Sequence, residues 1–234
     1  IAIRAYIDSP NYLEIFKERS LMFEINVSAE KGYAWAFPSK GNLLNIGIGV
    51  PLNIFKKEKL DINVLLQDFI KQLENRGVVV ENVRDEKSYL LPFASSRPKI
   101  TQNVNVTLIG DASSMINPMS GEGIFYGMEA GYLLAENTHN LLDSPDLNKG
   151  IVSYEKAFSK RFKKHYLSCA LARLVLQSPF MTKRLLKVAS NDQDTIDFVV
   201  ELLFDEAYLT FGEVVKIMYK FLLPSKLLFL LSKN

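Results

Sequence analysis

Apolar and polar positions alternate through much of the first hundred residues, which is the period of strands with two different faces. The end of residues 21–27 alternates in this way. Residues 33–37 place aromatic side chains at every second position with alanines between them, and residues 44–50 continue the pattern. Residues 31–50 are therefore predicted to form a hairpin that turns at residues 39–42, with an aromatic face on its first strand.

A helical period of 3.6 residues replaces this alternation in two places. Asp61 is predicted to cap a helix, whose apolar side carries Leu65, Leu66, Phe69, Ile70 and Leu73. The chain from about Asn148 onwards is predicted to be helical, with an apolar stripe of Ile151, Tyr154, Phe158 and Phe162. Turn signals at residues 178–179, 191–192 and 223–224 divide this tail.

Between these regions, residues 104–109 predict a short, largely buried strand that ends at Gly110 and Asp111. A loop and a helix beginning near Gly121 follow, and the helix is rich in small residues that permit close packing. The overall prediction is an α+β fold in three regions. Residues 1–100 are predicted to form an antiparallel-sheet region, residues 101–145 a strand and helix of an α/β domain, and residues 146–234 a helical cap.

Composition excludes several classes of protein. The 28 Lys+Arg against 26 Asp+Glu residues leave a net charge of +2, so a general nucleic-acid binder is not expected. One cysteine and two histidines exclude a disulfide framework, a cysteine-based zinc module and a multi-histidine metal site. The start lacks a signal-peptide pattern, and no apolar run reaches the roughly 20 residues that span a bilayer. We expect a cytoplasmic protein, with contact at a membrane surface left open.

Several charged or reactive residues of the tail region carry weaker signals. Most of them form a basic stretch on one helix, which is predicted to be a solvated face. The alternative is that this stretch contacts anionic lipid headgroups or a substrate phosphate. Its members are Lys156, Lys160, Arg161, Lys163, Lys164 and His165. Cys169 is predicted to be a small buried apolar residue, and His139 to interact with a helix terminus.

The strongest chemical signal lies in residues 110–124, Gly-Asp-Ala-Ser-Ser-Met-Ile-Asn-Pro-Met-Ser-Gly-Glu-Gly-Ile. A strand that ends in Gly110–Asp111 places a carboxylate at the edge of a sheet, where it can accept hydrogen bonds from sugar or ribityl hydroxyls. Gly121 and Gly123 at a helix start expose backbone N–H groups at the positive end of the helix dipole. Glycines that only permit a tight turn would be the simpler explanation, but such a turn does not require the other residues of the 110–124 string. The whole pattern therefore favours a cofactor site.

This string resembles the carboxyl-terminal flavin motif of FAD-dependent oxidoreductases of the p-hydroxybenzoate hydroxylase-like superfamily. Its Pro-x-x-Gly-Glu-Gly-Ile form is most similar to the geranylgeranyl reductase family. Residues 33–38, Tyr-Ala-Trp-Ala-Phe-Pro, and then Gly47-Ile48-Gly49 resemble that family's lipid-cavity signature. The resemblance covers about residues 1–140. The chain departs from it at Ser113 and Ser114, where the family usually has Ala-Gly.

The resemblance implies a role for each matching residue. Asp111 would bind the ribityl or pyrophosphate side of FAD, and Gly123 and Ile124 would offer backbone groups to the flavin. Pro118 and Gly121 would shape the approach, and Gly110 would belong to the same cofactor-binding set. Residues 1–100 would then be the substrate-binding sheet, and residues 101–145 the returning strand and helix of the FAD-binding domain. One wall of a polyprenyl tunnel would be formed by Tyr33, Trp35, Phe37, Pro38, Gly47 and Gly49. From the residues alone, a plain hydrophobic core face remains the alternative for this wall.

The implied activity is reduction of carbon–carbon double bonds in a polyprenyl lipid or prenyl diphosphate, with electrons from NAD(P)H or ferredoxin. No residue is assigned as the proton donor, and the oligomeric state is left open. The alternatives are a flavin monooxygenase or halogenase on the same scaffold and a non-redox isoprenoid-binding module.

The family opens with a Rossmann unit whose Gly-x-Gly-x-x-Gly loop holds the ADP half of FAD. No such string occurs here, and the chain begins with Ile1. We therefore expect an upstream portion in the parent protein, and an unpaired sheet edge where its strands belong.

Overall fold

The computed structural model describes residues 1–16, 21–25, 32–93, 100–103, 106–142, 144, 146–176, 178–204 and 207–222. Two compact units make up the chain, Ile1–Leu91 and Pro92–Asn234. Together they combine antiparallel sheet with helices, which confirms the predicted α+β class. The division into regions 1–100, 101–145 and 146–234 stays a prediction.

The first unit is an antiparallel sheet with helices beside it. The five strands are β1 (Ala2–Asp8), β2 (Met22–Ile25), β3 (Tyr33–Pro38), β4 (Leu43–Gly49) and β5 (Val83–Tyr89), in the spatial order β2-β3-β4-β1-β5. The helices are α1 (Tyr12–Ile15), α2 (Leu52–Lys57) and α3 (Ile62–Asn75). β3 and β4 form the predicted hairpin, and Gly41 in its turn has a φ of 71° that favours glycine.

One face of this sheet forms the core of the first unit. Ala34 and Ala36 of β3 and the alternate residues of β4 are fully buried together with the apolar side of α3. The carboxylate of Asp61 accepts a hydrogen bond from Asn63 N–H at 2.8 Å, which confirms the predicted helix cap. Because side chains alternate along a strand, the aromatic residues of β3 lie on the opposite face.

The second unit is mainly helical. Its strands are β6 (Thr101–Asn103) and β7 (Val106–Thr107), and short 3₁₀ turns cover Gly110–Ser113 and His139–Leu141. Its helices are α4 (Ile124–Thr138), α5 (Leu147–Leu176), α6 (Pro179–Ala189), α7 (Gln193–Phe204) and α8 (Phe211–Leu222). The turns at residues 178–179 and 191–192 lie between helices as predicted, whereas the one at 223–224 is outside the described residues.

The prediction of a largely buried strand over residues 104–109 is wrong where the structure describes it. β7 contains only two residues, and Val106 and Ile109 are 45% and 41% exposed. Within the described residues β7 pairs only with β6, so no second neighbouring strand covers its apolar side chains. Burial of such a strand depends on neighbours, and its apolar composition alone does not provide them.

The core of the second unit lies between α4 and α5 and is unusually aromatic. The predicted stripe on α5 is confirmed, because Ile151, Tyr154, Phe158 and Phe162 are all buried. Tyr126 of α4 contacts Phe162 with ring centroids 5.4 Å apart at a steep angle, an arrangement that the ring quadrupoles favour. This packing holds the start of α4, and with it the loop before it, against α5.

Candidate functional site

The carboxylate of Asp111 and the start of α4 lie next to each other. Asp111 is exposed in the 3₁₀ turn that follows β7, and Gly123 is the cap residue of α4. A methyl group on Gly123 would lie 3.5 Å from Asp111 Oδ1 and 3.1 Å from Ile116 Cγ1. The structure therefore brings together two of the predicted cofactor residues, twelve positions apart in the sequence, at the positive end of the α4 dipole.

Close backbone contact between this turn and α4 explains two of the small residues. Gly110 has a φ of 58°, and a methyl group on Gly127 would lie only 3.3 Å from Gly110 Cα. Ser114 ends the turn in the left-handed conformation, with φ 55°. This is the position at which the family usually has glycine, so the serine imposes backbone strain there.

The loop over residues 117–123 turns tightly before α4 begins. Pro118 is buried and Gly121 has a φ of 78°. The carboxylate of Glu122 accepts a hydrogen bond from Phe125 N–H at 2.8 Å. The N–H of Gly121, one of the two glycines predicted to expose this group, donates to the Asn117 carbonyl oxygen at 3.0 Å. The prediction of a free N–H group is therefore wrong at Gly121.

Ile124 occupies the first turn of α4, and 78% of it is exposed. Met128 and Tyr132 follow it on the same side of the helix and are also exposed. The opposite side of α4 is the buried one. The helix therefore presents an apolar stripe that begins at the candidate cofactor site.

The aromatic face of the first unit is the second candidate surface. Tyr33, Trp35 and Phe37 are half-buried rather than buried, and Phe23 of β2 joins them with its ring centroid 5.0 Å from that of Phe37. None of the four belongs to the core cluster on the other side of the sheet. This position weakens the interpretation as a plain core face and favours a ligand-facing wall.

Glycines in β4 allow the aromatic rings to lie flat on the sheet. The Trp35 ring covers Gly47, where a methyl group would lie 2.2 Å from Trp35 Cζ2. Trp35 Nε1 donates a hydrogen bond to Asn45 Oδ1 at 3.0 Å, which fixes the ring orientation. Gly49 pairs with Tyr33, and Pro38 ends β3 opposite Leu44. Burial raises the pKa of Tyr33 to about 12, so its phenol stays protonated at neutral pH.

Phe23 and a buried polar cluster of Asn117, Tyr126 and His165 were not predicted from the sequence. His165 was predicted to belong to a solvated basic stretch, and this is wrong because it is fully buried. The period of the α5 stripe carries the signal that identifies it, since Phe158, Phe162, His165 and Cys169 follow one another by three or four residues. The alternation over residues 21–27 likewise places Phe23 beside the aromatic strand.

The other members of the basic stretch lie on the exposed side of α5, as predicted. Arg161 forms an ion pair with Glu129 of α4, and Lys164 Nζ lies 5.0 Å from the Tyr208 ring centroid. An open groove of about 510 Å³ is lined by Glu155, Lys156, Ser159, Lys160, Lys163 and Lys164. Cys169 is buried as predicted, and His139 Nδ1 lies 3.0 Å from the Ala135 carbonyl oxygen near the end of α4.

The described residues contain neither a metal-binding cluster nor a membrane-spanning helix. No group of three or more His, Cys, Asp or Glu side chains in these parts of the chain is arranged to hold a metal ion. Among the described helices, none combines the length and the apolar character needed to cross a membrane.

Comparison with known proteins assigns the first unit. Residues 8–87 match the sequence model of the geranylgeranyl reductase catalytic domain, and this range includes the whole aromatic face of β3 together with Gly47 and Gly49. Over this range the chain is similar to the geranylgeranyl reductase family. The matched range therefore includes one of the two strings that carry the resemblance, residues 33–49.

Relatives with curated names agree with this family. A menaquinone reductase of Mycolicibacterium smegmatis is 31% identical over 169 residues, which are 71% of this chain and 39% of the relative. A digeranylgeranylglycerophospholipid reductase of Methanosarcina mazei is 30% identical over 141 residues, 59% of this chain and 32% of the relative. The chain thus spans less than half the length of these relatives.

A solved structure supports the fold. The crystal structure of a geranylgeranyl bacteriochlorophyll reductase-like protein from Thermoplasma acidophilum superposes with a TM-score of 0.64. It is 20% identical, and the match covers 94% of this chain and 55% of that chain. Both units of the chain therefore have counterparts in one known fold.

Proposed function

We propose that the protein is an FAD-dependent reductase that saturates carbon–carbon double bonds in the polyprenyl chain of a lipid or prenyl diphosphate. The observation that carries the proposal is the half-buried aromatic face of β3 inside the range that matches the reductase catalytic domain. The curated relatives support it, because digeranylgeranyl lipids and menaquinones both carry polyprenyl chains.

The residues at the start of α4 fit an FAD. Asp111 offers an exposed carboxylate for hydroxyl groups, and Gly123 leaves the adjacent backbone uncovered by a side chain. Gly110 and Gly121 have positive φ values, which favour glycine, and Pro118 and Ile124 lie beside them in the same segment. Bound FAD supplies the hydride chemistry, with NAD(P)H or ferredoxin as the electron source.

The aromatic face performs the complementary task. Tyr33, Trp35 and Phe37 offer apolar ring surface to an extended isoprenoid and exclude water from it. Water exclusion is important because an isolated alkene is a poor hydride acceptor and needs a dry surrounding. The protonated Tyr33 phenol adds no charge to this face. Pro38, Gly47 and Gly49 shape the surface beneath the chain.

The decisive experiment is a visible absorption spectrum of the natural full-length protein before and after dithionite. A flavin band that bleaches, followed by saturation of geranylgeranyl lipid under anaerobic turnover, is the expected result. Oxygen consumption without alkene reduction would instead indicate a monooxygenase or halogenase. A colourless protein that takes up no added FAD would refute both redox activities and leave an isoprenoid-binding module.

Asp111→Asn tests the cofactor residues. Loss of a charge-assisted hydrogen bond of about 1.5–3 kcal/mol is expected to weaken FAD affinity about 10- to 100-fold. The protein should unfold at the wild-type urea concentration, because Asp111 is exposed. Asp68→Asn, at an exposed carboxylate of α3, is the matched control and should leave FAD affinity unchanged. Equal affinities for both variants would remove Asp111 from the site.

Trp35 provides a direct test of the aromatic face, since it is the only tryptophan in the chain. Geranylgeraniol added to the protein is expected to change Trp35 emission, and Phe37→Ala to weaken that response. Tyr89→Ala, at an exposed residue of β5, is the control. An emission that does not respond to any isoprenoid would exclude this face as the substrate wall.

The groove on α5 is proposed to contact anionic lipid headgroups at a membrane surface. Each lysine near such a surface contributes about 1 kcal/mol, so replacing three by glutamine should weaken binding to phosphatidylglycerol vesicles about 100-fold. The replaced residues are Lys160, Lys163 and Lys164, and the control residues are Lys56, Lys57 and Lys71. Equal sedimentation of the two triple variants with these vesicles would refute the contact. Phosphatidylcholine vesicles should bind neither protein.

A further inference from the structure

A closed set of buried hydrogen bonds connects the loop at residues 117–123 to the carboxyl-terminal helices. Asn117, Tyr126 and His165 are all fully or almost fully buried. The Tyr126 hydroxyl lies 2.7 Å from His165 Nε2, and Asn117 Nδ2 lies 3.0 Å from the same hydroxyl. His165 Nδ1 lies 2.6 Å from the Ala207 carbonyl oxygen beyond α7.

The partners determine which atoms carry the protons. A carbonyl oxygen only accepts, so His165 Nδ1 carries a hydrogen and donates it to Ala207. In the neutral ring Nε2 is then an acceptor and takes the hydrogen of the Tyr126 hydroxyl. Asn117 Nδ2 has two hydrogens and three acceptors within reach: the Tyr126 oxygen, His165 Nε2 at 3.2 Å and the Leu202 carbonyl oxygen at 3.3 Å. Each of these donors thus has an acceptor, which buried polar groups require.

Asn117 transmits this arrangement to the loop. Its side-chain oxygen Oδ1 accepts hydrogen bonds from Met119 N–H at 2.8 Å and Ser120 N–H at 3.1 Å. Its backbone N–H donates to the Glu122 carbonyl oxygen at 2.7 Å, and its carbonyl oxygen accepts from Gly121 N–H at 3.0 Å. If the Asn117 amide were flipped, its NH₂ group would face the N–H donors of Met119 and Ser120. The acceptors around Nδ2 therefore keep the side chain in the orientation in which Oδ1 accepts both hydrogen bonds from the loop.

We infer that His165 is a positioning residue for the flavin-binding loop, acting through Tyr126 and Asn117. The inference rests on the proposed function, in which residues 118–124 hold FAD. In this inference α5 and the segment after α7 contribute more than apolar contacts. They hold the loop before α4 in a fixed shape, so that the backbone around Gly121 and Gly123 is ordered before a ligand arrives.

A matched pair of substitutions tests this without changing the fold. Tyr126→Phe and Tyr166→Phe each remove one buried hydroxyl; that of Tyr126 contacts both His165 and Asn117, and that of Tyr166 makes a single 2.7 Å hydrogen bond. The Tyr166 hydroxyl donates to the Met115 carbonyl oxygen and does not join the Asn117 set. Tyr126→Phe loses two hydrogen bonds and should lose somewhat more stability than Tyr166→Phe, which loses one. Only Tyr126→Phe should change the loop. His165→Leu removes Nε2, the acceptor of the Tyr126 hydroxyl, and should change the loop most.

Two readouts separate the role in positioning from general stability. In amide hydrogen exchange, Met119 and Ser120 should exchange at least tenfold faster in Tyr126→Phe and His165→Leu than in wild type. Their rates in Tyr166→Phe should be those of wild type. In the full-length holoprotein, the same two variants should bind FAD at least tenfold more weakly and show a shifted flavin midpoint potential, with Tyr166→Phe again unchanged.

The outcomes distinguish this inference from the proposed function. If wild type binds FAD and Tyr126→Phe matches Tyr166→Phe in exchange, affinity and potential, His165 does not position the loop. If wild type binds no flavin, the proposed function fails. Exchange at Met119 and Ser120 then decides alone whether the buried set holds the loop. Should His165→Leu not fold, the tyrosine pair still decides the question.

Discussion

Gly47→Ala is the sharpest test of the aromatic face, because the new methyl group has no space. It would lie 2.2 Å from Trp35 Cζ2 and 2.5 Å from the Ile3 carbonyl oxygen. The indole ring can turn aside only by giving up its 3.0 Å hydrogen bond to Asn45. The carbonyl group belongs to the backbone of β1, which pairs with β4 and cannot turn aside.

The expected cost follows from these contacts. Overpacking of this kind costs about 1–3 kcal/mol, and the lost hydrogen bond adds about 1 kcal/mol. Replacing glycine by alanine within a strand returns roughly 0.5–1 kcal/mol of backbone entropy. The net loss is about 2 kcal/mol. With a urea dependence of about 1–3 kcal/mol per molar, the unfolding midpoint of the first unit should fall by about 1 M.

Urea unfolding followed by Trp35 fluorescence measures this directly, since the only tryptophan reports on the first unit alone. Gly49→Ala is the matched control, two residues along the same strand. There the new methyl group would meet Ala2 Cβ at 3.6 Å and Tyr33 Cε1 at 3.8 Å, which are ordinary contacts. If Gly47→Ala keeps the midpoint and emission of Gly49→Ala, Trp35 does not lie over Gly47.

Three further predictions concern the second unit. Ser114→Gly should raise the free energy of unfolding by about 1 kcal/mol, because it removes a side chain from a left-handed backbone position; a loss of stability in urea would contradict this. Burial raises the pKa of Cys169 to about 12, so iodoacetamide at pH 9 should modify it only after unfolding. The unfolded thiol ionises at about pH 8.5, whereas the folded thiol stays protonated until about pH 12. The stabilisation by the protonated thiol is therefore complete below about pH 8.5, and the free energy of unfolding should fall as the pH rises from there towards 12. Cys169→Ala should not show this fall. In a ¹⁵N spectrum of the two imidazoles, neutral His165 should carry its proton on Nδ1; a proton on Nε2 would refute the hydrogen bond to Ala207.

Local patterns predicted the elements whose formation depends on near neighbours in the chain. The alternation over residues 33–50 led to the β3–β4 hairpin, and Asp61 marked the start of α3. The strand over residues 104–109 was not predicted correctly, because β7 has only β6 beside it among the described residues. An apolar run specifies that a strand prefers burial, while the number of strands that cover it depends on the tertiary structure.

The same division applies to the candidate site. The sequence by itself determined the composition of the aromatic face and the Gly-Asp and Gly-x-Gly strings, because strand period and motif spacing are local properties. Only the tertiary structure decided that Asp111 approaches Gly123 and that His165 faces Tyr126 rather than solvent. These contacts join residues 12 and 39 positions apart, and they exist because α4 packs on α5 and the turn at Gly110 packs on α4. A helical histidine beside lysines is polar by sequence, and it becomes buried only when its side of the helix is covered by another element.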